Sequence, residues 1–185
     1  MMNTTHAAMG VALSAPLVVL APELAPIAAL SAFVGGVFPD LDLFSGQHRR
    51  TLHFPVYYST AGLVVGGAAL FRPSPETVGA ACFLLSAAVH CVADAVGGGL
   101  ELRPWEATDD RGVYVHPAGR WVRPRRWVRY DGAPEDLVLA GLFSLPGLVL
   151  FSGTVRTLTL VGLAVSVVYT ALRKRLPGIE TKYLR

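Results

Sequence analysis

Charge is the first thing this sequence is short of. Asp, Glu, Lys and Arg make up 16% of its 185 residues, against about 25% in an ordinary soluble domain. Hydrophobic residues make up 52%, and the mean hydropathy is +0.47. Together these point to a membrane protein, the plain alternative being a soluble bundle with a very apolar core. Cysteine is scarce too. Cys82 and Cys91 share one apolar segment and would face different ways on a helix, so no disulfide is expected. The opening MMNTTHAAMG has no Lys or Arg. A cleavable signal peptide begins with positive charge, so none is expected. There is no internal repeat, and no nucleic-acid partner is expected.

What is present is a series of six apolar segments in a single domain, an all-α polytopic membrane architecture. Residues 7–20 form the first, with Thr4 or Thr5 as the expected cap, and residues 23–37 the second. Both are short for a span of about 20 residues. They hold Pro16, Pro22 and Pro26, which makes a broken, re-entrant hairpin an alternative. Residues 54–71 carry no charge and open on Pro55, a residue suited to a first helical turn. The fourth segment starts at SPET (74–77) and runs to about Ala95, before the glycines at 97–99. The fifth opens with GAPED (132–136) and runs to about 153, and the sixth covers 157–172.

Positive charge is distributed unevenly over these segments. If the N-terminus defines one side, the connectors after the second and fourth segments and the C-terminus lie on that side too. All but Arg72 and Arg156 of the 16 Lys and Arg then fall there, Lys182 and Arg185 included. By the positive-inside rule that side is the cytoplasm, so both termini are expected there, with the chain in the cell membrane. The 96–134 connector alternates around a PAG turn, as a small hairpin would. Its Trp105, Tyr114, Trp121, Trp127 and Tyr130 sit among arginines. Such a mixture belongs at a membrane surface, with membrane lipids and their anionic headgroups as partners. The plainer reading is that this connector only anchors and orients the chain.

The ionisable groups also converge on that side. FPDLDLFSGQHRRTLHFP (38–55) concentrates them between greasy flanks. His6 lies at the corresponding end of the first segment, Asp40, Asp42 and His53 in the connector, and His90 and Asp94 in the last turns of the fourth segment. His90 and Asp94 are four apart and share one helix face. Ionisable groups at that depth are costly and signal function by default. Each has a plain alternative: an interhelical hydrogen bond, a turn or a cap. Carboxylates packed together would repel, and a divalent cation reverses that. Mixed imidazole and carboxylate ligation suits Zn2+, with Mn2+ or Fe2+ as alternatives.

In order, His6, PDLD (39–42), RRTLH (49–53) and HCVAD (90–94) with its following glycines resemble the membrane-bound metal-dependent hydrolase family. Bacterial members of that family include LexA-associated inner-membrane hydrolases. The family pattern is an N-terminal His, Pro-Asp-x-Asp, Arg-Gly-x-Thr-His, then His-x-x-x-Asp, a glycine turn and Trp-Pro. The resemblance covers roughly residues 1–106. Arg50 stands for the glycine, Leu52 for the threonine and Leu43 for a frequent histidine, and RPWE (103–106) reverses the Trp-Pro order. A more distant likeness, in the order of His and Asp alone, is to the zinc-dependent phospholipase C and single-strand nuclease group. Those all-helical enzymes cleave phosphodiesters with a multi-zinc cluster. Their later histidines have no counterpart here unless Glu101, Glu106 or His116 replaces them.

The expectation is therefore a membrane hydrolase with one or two metal ions held by His6, Asp40, Asp42, His53, His90 and Asp94. Asp42 would serve as general base, and Arg49 or Arg50 would stabilise developing phosphate charge. A lipid or lipid-linked phosphoester is the expected substrate. The rivals are an ion or proton-relay transporter, which would spread polar groups through the membrane depth, and a non-catalytic lipid-binding scaffold.

Overall fold

Prolines mark where most of the helices begin. In the computed structural model, which describes residues 1–177, Pro26, Pro55, Pro75 and Pro134 each occupy the first turn of a helix, where a missing N–H costs nothing. Lys182 and Arg185 lie outside the described residues. Helix α1 (Asn3–Ser14) passes through Pro16 into α2 (Leu17–Leu20). Pro16 keeps helical angles, and its carbonyl accepts from Val19 and Leu20. The pair therefore runs as one apolar helix of 18 residues, Asn3–Leu20. Helix α3 (Ala25–Val37) continues into a 3₁₀ turn, Phe38–Leu43, giving an apolar stretch of 19 residues. Helices α4 (Pro55–Phe71), α5 (Pro75–Val96), α6 (Pro134–Val149) and α7 (Gly153–Leu172) follow.

Four of these stretches are long and apolar enough to cross a membrane: Asn3–Leu20, Ala25–Leu43, Pro75–Val96 and the one that starts at Gly153. The first two are therefore longer than the prolines suggested. Apolar α4 has 17 residues and α6 has 16, both shorter than a full span. The expected cap on the first helix is absent. The helix begins at Asn3 with Met2 at the cap position and no side-chain cap, and both threonines lie inside its first turn. Thr4 Oγ1 pairs with Ser166 Oγ at 2.7 Å, and Thr5 Oγ1 donates to Asp136 Oδ1 at 2.8 Å. Ser74 does cap α5: its side chain and Thr77 form a reciprocal capping box.

Helix α5 sits at the centre and packs against α1, α3 and α4. The contacts are close because the facing residues are small. Gly10 and Gly36 lie at the α1–α3 crossing, where a Cβ on Gly36 would come within 2.6 Å of the His6 carbonyl. Outward, the bundle shows apolar side chains such as Leu63, Val64 and Leu70 on α4 and Val161, Val165 and Val168 on α7. Exposed apolar side chains of this kind are compatible with a membrane-facing surface.

The connector contains the expected hairpin. Strands β1 (Val113–Val115) and β2 (Arg120–Val122) pair antiparallel, with Tyr114 opposite Trp121. Gly119, at φ +60°, completes the turn. The chain beyond β2 then closes the end of α5. Arg125, Val128 and Arg126 donate backbone N–H groups to the carbonyls of Ala95, Val96 and Gly97. Those orphan carbonyls are thereby satisfied, and the turn that carries His90 and Asp94 is fixed.

Candidate metal centre

Three chain segments meet at the end of the bundle that holds the N-terminus. The 3₁₀ turn after α3 supplies Asp40, the residue pair before α4 supplies His53, and α5 supplies His90 and Asp94. His53 and His90 are fully buried, and Asp94 and Asp40 nearly so. One atom from each faces a common centre, and all four atoms lie within 4.8 Å of one another. His53 Nε2 is 3.2 Å from His90 Nε2, 3.3 Å from Asp94 Oδ2 and 3.6 Å from Asp40 Oδ1. His90 Nε2 is 3.2 Å from Asp40 Oδ1 and 3.4 Å from Asp94 Oδ2. A tetrahedral ion with ligands at 2.0–2.2 Å would set its donors about 3.3–3.6 Å apart. The separations and the donor chemistry both fit a divalent metal.

The outward ring nitrogens are tied down. His53 Nδ1 donates to Asp42 Oδ2 at 2.8 Å, and His90 Nδ1 donates to the Gly36 carbonyl at 2.7 Å. Both arrangements fix the tautomer that presents Nε2 to the centre, the usual device around metal-bound histidine. Burial opposes the charge of His53. The carboxylates of Asp42 and Asp94 outweigh that and raise its pKa above the ordinary 6.5.

The remaining expected site residues surround this cage. His6 lies beside it: its ring stacks on His90 with centroids 3.8 Å apart, and its Nε2 is 3.2 Å from Asp94 Oδ1, the oxygen turned away from the cage. Asp42 stands behind His53 with both oxygens engaged. Oδ2 bonds His53, and Oδ1 accepts from His48 Nδ1 at 2.8 Å. Asp42, His48 and His53 thus form a second close group that shares His53 with the first. Arg49 is buried, with Nε 3.4 Å from Asp94 Oδ2 and Nη1 donating to the Gly98 carbonyl at 2.6 Å. Its backbone is left-handed, at φ +60°. Such strain persists only where surrounding contacts enforce it. Arg50 points elsewhere, onto Gln47 Oε1 and over the Tyr114 ring.

Three residues weighed as replacement ligands lie in neither close group. His116 packs among Phe54, Tyr57 and Tyr114, and burial lowers its pKa, aided by Arg50. Glu101 accepts from the Thr108 N–H, and Glu106 pairs with Arg103. Sequence reasoning passed over His48 as a site residue, although it lies in the same polar connector as His53. It also passed over Asp136, whose carboxylate accepts from Met2 N, Thr5 Oγ1 and Gly132 N and so pins the start of α1 beside the cage. A first-turn acid on a helix gives no sign of such a partner.

Above the cage is a cavity of about 420 Å³. Asp40, His48 and Arg49 line one side, and Val165, Tyr169 and Arg173 of the α7 region the other. Tyr169 and Arg173 are held there by Asp131, on which both hydroxyl and guanidinium converge.

Comparison with known protein families, with curated proteins and with solved structures finds no match to this chain.

Proposed function

We propose that this protein is a membrane-embedded, metal-dependent hydrolase of the kind its His/Asp motifs resemble, acting on lipid or lipid-linked phosphoesters at the cytoplasmic face. The observation that supports this reading is the cage of Asp40, His53, His90 and Asp94, with donor spacings that suit a metal ion, at the foot of a cavity lined by both charged and apolar side chains. Two imidazoles and two carboxylates suit Zn2+, Mn2+ or Fe2+. Asp40, His53, His90 and Asp94 would hold such an ion, which would supply Lewis-acid activation of water and of a scissile group.

The chain's own residues do the rest. Asp42 orients His53 and holds His48 at the cavity wall. With both oxygens engaged and almost no exposure, it acts by positioning, in place of the general-base role expected of it. Arg49 balances Asp94, whose other oxygen receives His6 and the Met1 ammonium. Arg50, directed away from the cage, leaves Arg49 as the cation beside it. The cage touches the cavity through Asp40, the most exposed of its four residues, and substrate approaches from that side.

One observation favours a second reading. The close group already supplies four protein donors, as in closed structural sites. A metal confined to that role would staple the bundle without catalysis, within a lipid-binding scaffold.

The deciding experiment is metal analysis of protein purified from membranes, followed by chelation. The hydrolase reading expects one equivalent of metal per chain and phosphoester hydrolysis that chelation abolishes and metal restores. Metal present, with chelation lowering only the melting temperature, supports the structural reading. A metal-free, fully stable protein removes both. Reporter fusions that place the C-terminus outside the cell would remove the proposed topology.

A further inference from the structure

We propose that the outer face of α7 carries a specific site for an anionic phospholipid, beside the metal cavity. The proposal rests on reading α7 as a lipid-facing helix and is independent of whether the metal centre is catalytic. Two adjoining features carry it.

The first is an apolar groove of about 380 Å³ lined by Ala164, Val165, Val168, Tyr169, Leu172 and Leu176. It offers almost no polar surface, as a hydrocarbon chain requires. Val165 and Tyr169 also line the metal cavity, so groove and cavity lie on either side of one ridge.

The second is a basic and aromatic notch at the end of α7, lined by Arg103, Trp105, Lys174, Arg175 and Pro177. Leu176 of the groove lies between Arg175 and Pro177 in the chain, so the notch sits where the groove ends. Lys174 Nζ is 5.9 Å from the centre of the Trp105 ring and 5.7 Å from that of Tyr130. The exposed Arg103 pairs with Glu106. Arg175 forms no ion pair among the described residues. The notch thus holds a net excess of positive charge around an indole, beside a slot for a chain. Cations and aromatics at the membrane surface above an apolar groove match an anionic headgroup with its acyl chain below.

Each Lys or Arg near an anionic lipid surface contributes roughly 1 kcal/mol, so losing two weakens binding roughly 10- to 30-fold. The test is native mass spectrometry of the full-length protein in neutral detergent, titrated with phosphatidylglycerol or phosphatidylcholine. Wild type is expected to prefer phosphatidylglycerol. The double variant Lys174→Ala/Arg175→Ala is expected to lose that preference while keeping its melting temperature and metal content. Leu172→Trp, which fills the groove, is expected to weaken both lipids. Equal binding of the two lipids by wild type, or a preference that survives the double variant, would overturn the proposal. So would a wild-type dimer that Leu172→Trp dissociates, since the face would then belong to a second copy. None of these results depends on the metal, whose stoichiometry is read in the same spectra.

Discussion

His53 Nδ1 donates to Asp42 Oδ2 across 2.8 Å, and the same ring directs Nε2 at the centre of the cage. Asp42 therefore controls a ligand without occupying a corner. Removing an outer partner of a metal-bound histidine costs about 10- to 100-fold in affinity. Asp42→Ala is expected to weaken metal binding to that degree and to leave stoichiometry intact at saturating metal. Competition against a chromogenic chelator measures it. Complete loss of binding would make Asp42 a ligand, and no change would make the hydrogen bond incidental.

His90 and Asp94 give the sharper test, because their donors are 3.4 Å apart on successive turns of one rigid helix. Either substitution to alanine removes a corner of the cage. His90→Ala and Asp94→Ala are each expected to purify with little or no metal, as read by elemental analysis. Cys82→Ala and His116→Ala are expected to keep the wild-type content, since neither side chain belongs to a close donor group. Full occupancy in both ligand variants would refute the centre.

Much of this was legible because single residues carried the signal. The i, i+4 pair at 90 and 94 had to share a face, and Pro-Asp-x-Asp in an apolar setting marked the turn that delivers Asp40. The hairpin followed from alternation about a PAG turn. Other features depended on partners far along the chain. Asp136 looked like an ordinary first-turn acid until the fold brought Met2 and Thr5 to it. The choice among His6, Asp42 and Asp40 as ligands turns on where the fold aims each group: Asp42 meets the outward Nδ1 of His53 and His6 meets the outward Oδ1 of Asp94, which motif order does not encode. Thr4 and Thr5 have good capping chemistry, but both lie inside the first turn of the helix.

Stability and metal affinity should respond to pH in opposite directions. The pKa of His53 is raised above 6.5 by the Asp42 and Asp94 carboxylates, against burial. Its protonated form therefore stabilises the metal-free fold fully below 6.5, and that stabilisation is lost as pH rises through the folded-state pKa. A metal takes Nε2 and displaces the proton, so apparent affinity rises with pH over the same interval. Melting curves with and without chelator, from neutral to mildly alkaline pH, should diverge as pH increases. Parallel curves would exclude His53 as a ligand.

The last prediction concerns Gly36, where packing and site meet in one residue. Its carbonyl accepts the Nδ1 proton of His90 at 2.7 Å. Its missing Cβ lets α1 approach, since a methyl group there would lie 2.6 Å from the His6 carbonyl oxygen and 2.9 Å from Ala7 Cα. These are backbone atoms of a helix and cannot swing aside. Gly36→Ala must therefore push α1 away from α3 or shift the carbonyl that orients His90. Overpacking of this kind typically costs about 1–3 kcal/mol, and the melting temperature should fall. Metal affinity should fall with it, because His6 and His90 both move. Gly141, on α6, is the control: beyond its chain neighbours and its own helix backbone, no atom lies within 4 Å of its added Cβ. Alanine there gains about 0.5–1 kcal/mol in helix preference, so the melting temperature should hold or rise and metal content should not change. If Gly36→Ala and Gly141→Ala melt alike and bind metal alike, the α1–α3 contact does not set the geometry of the centre.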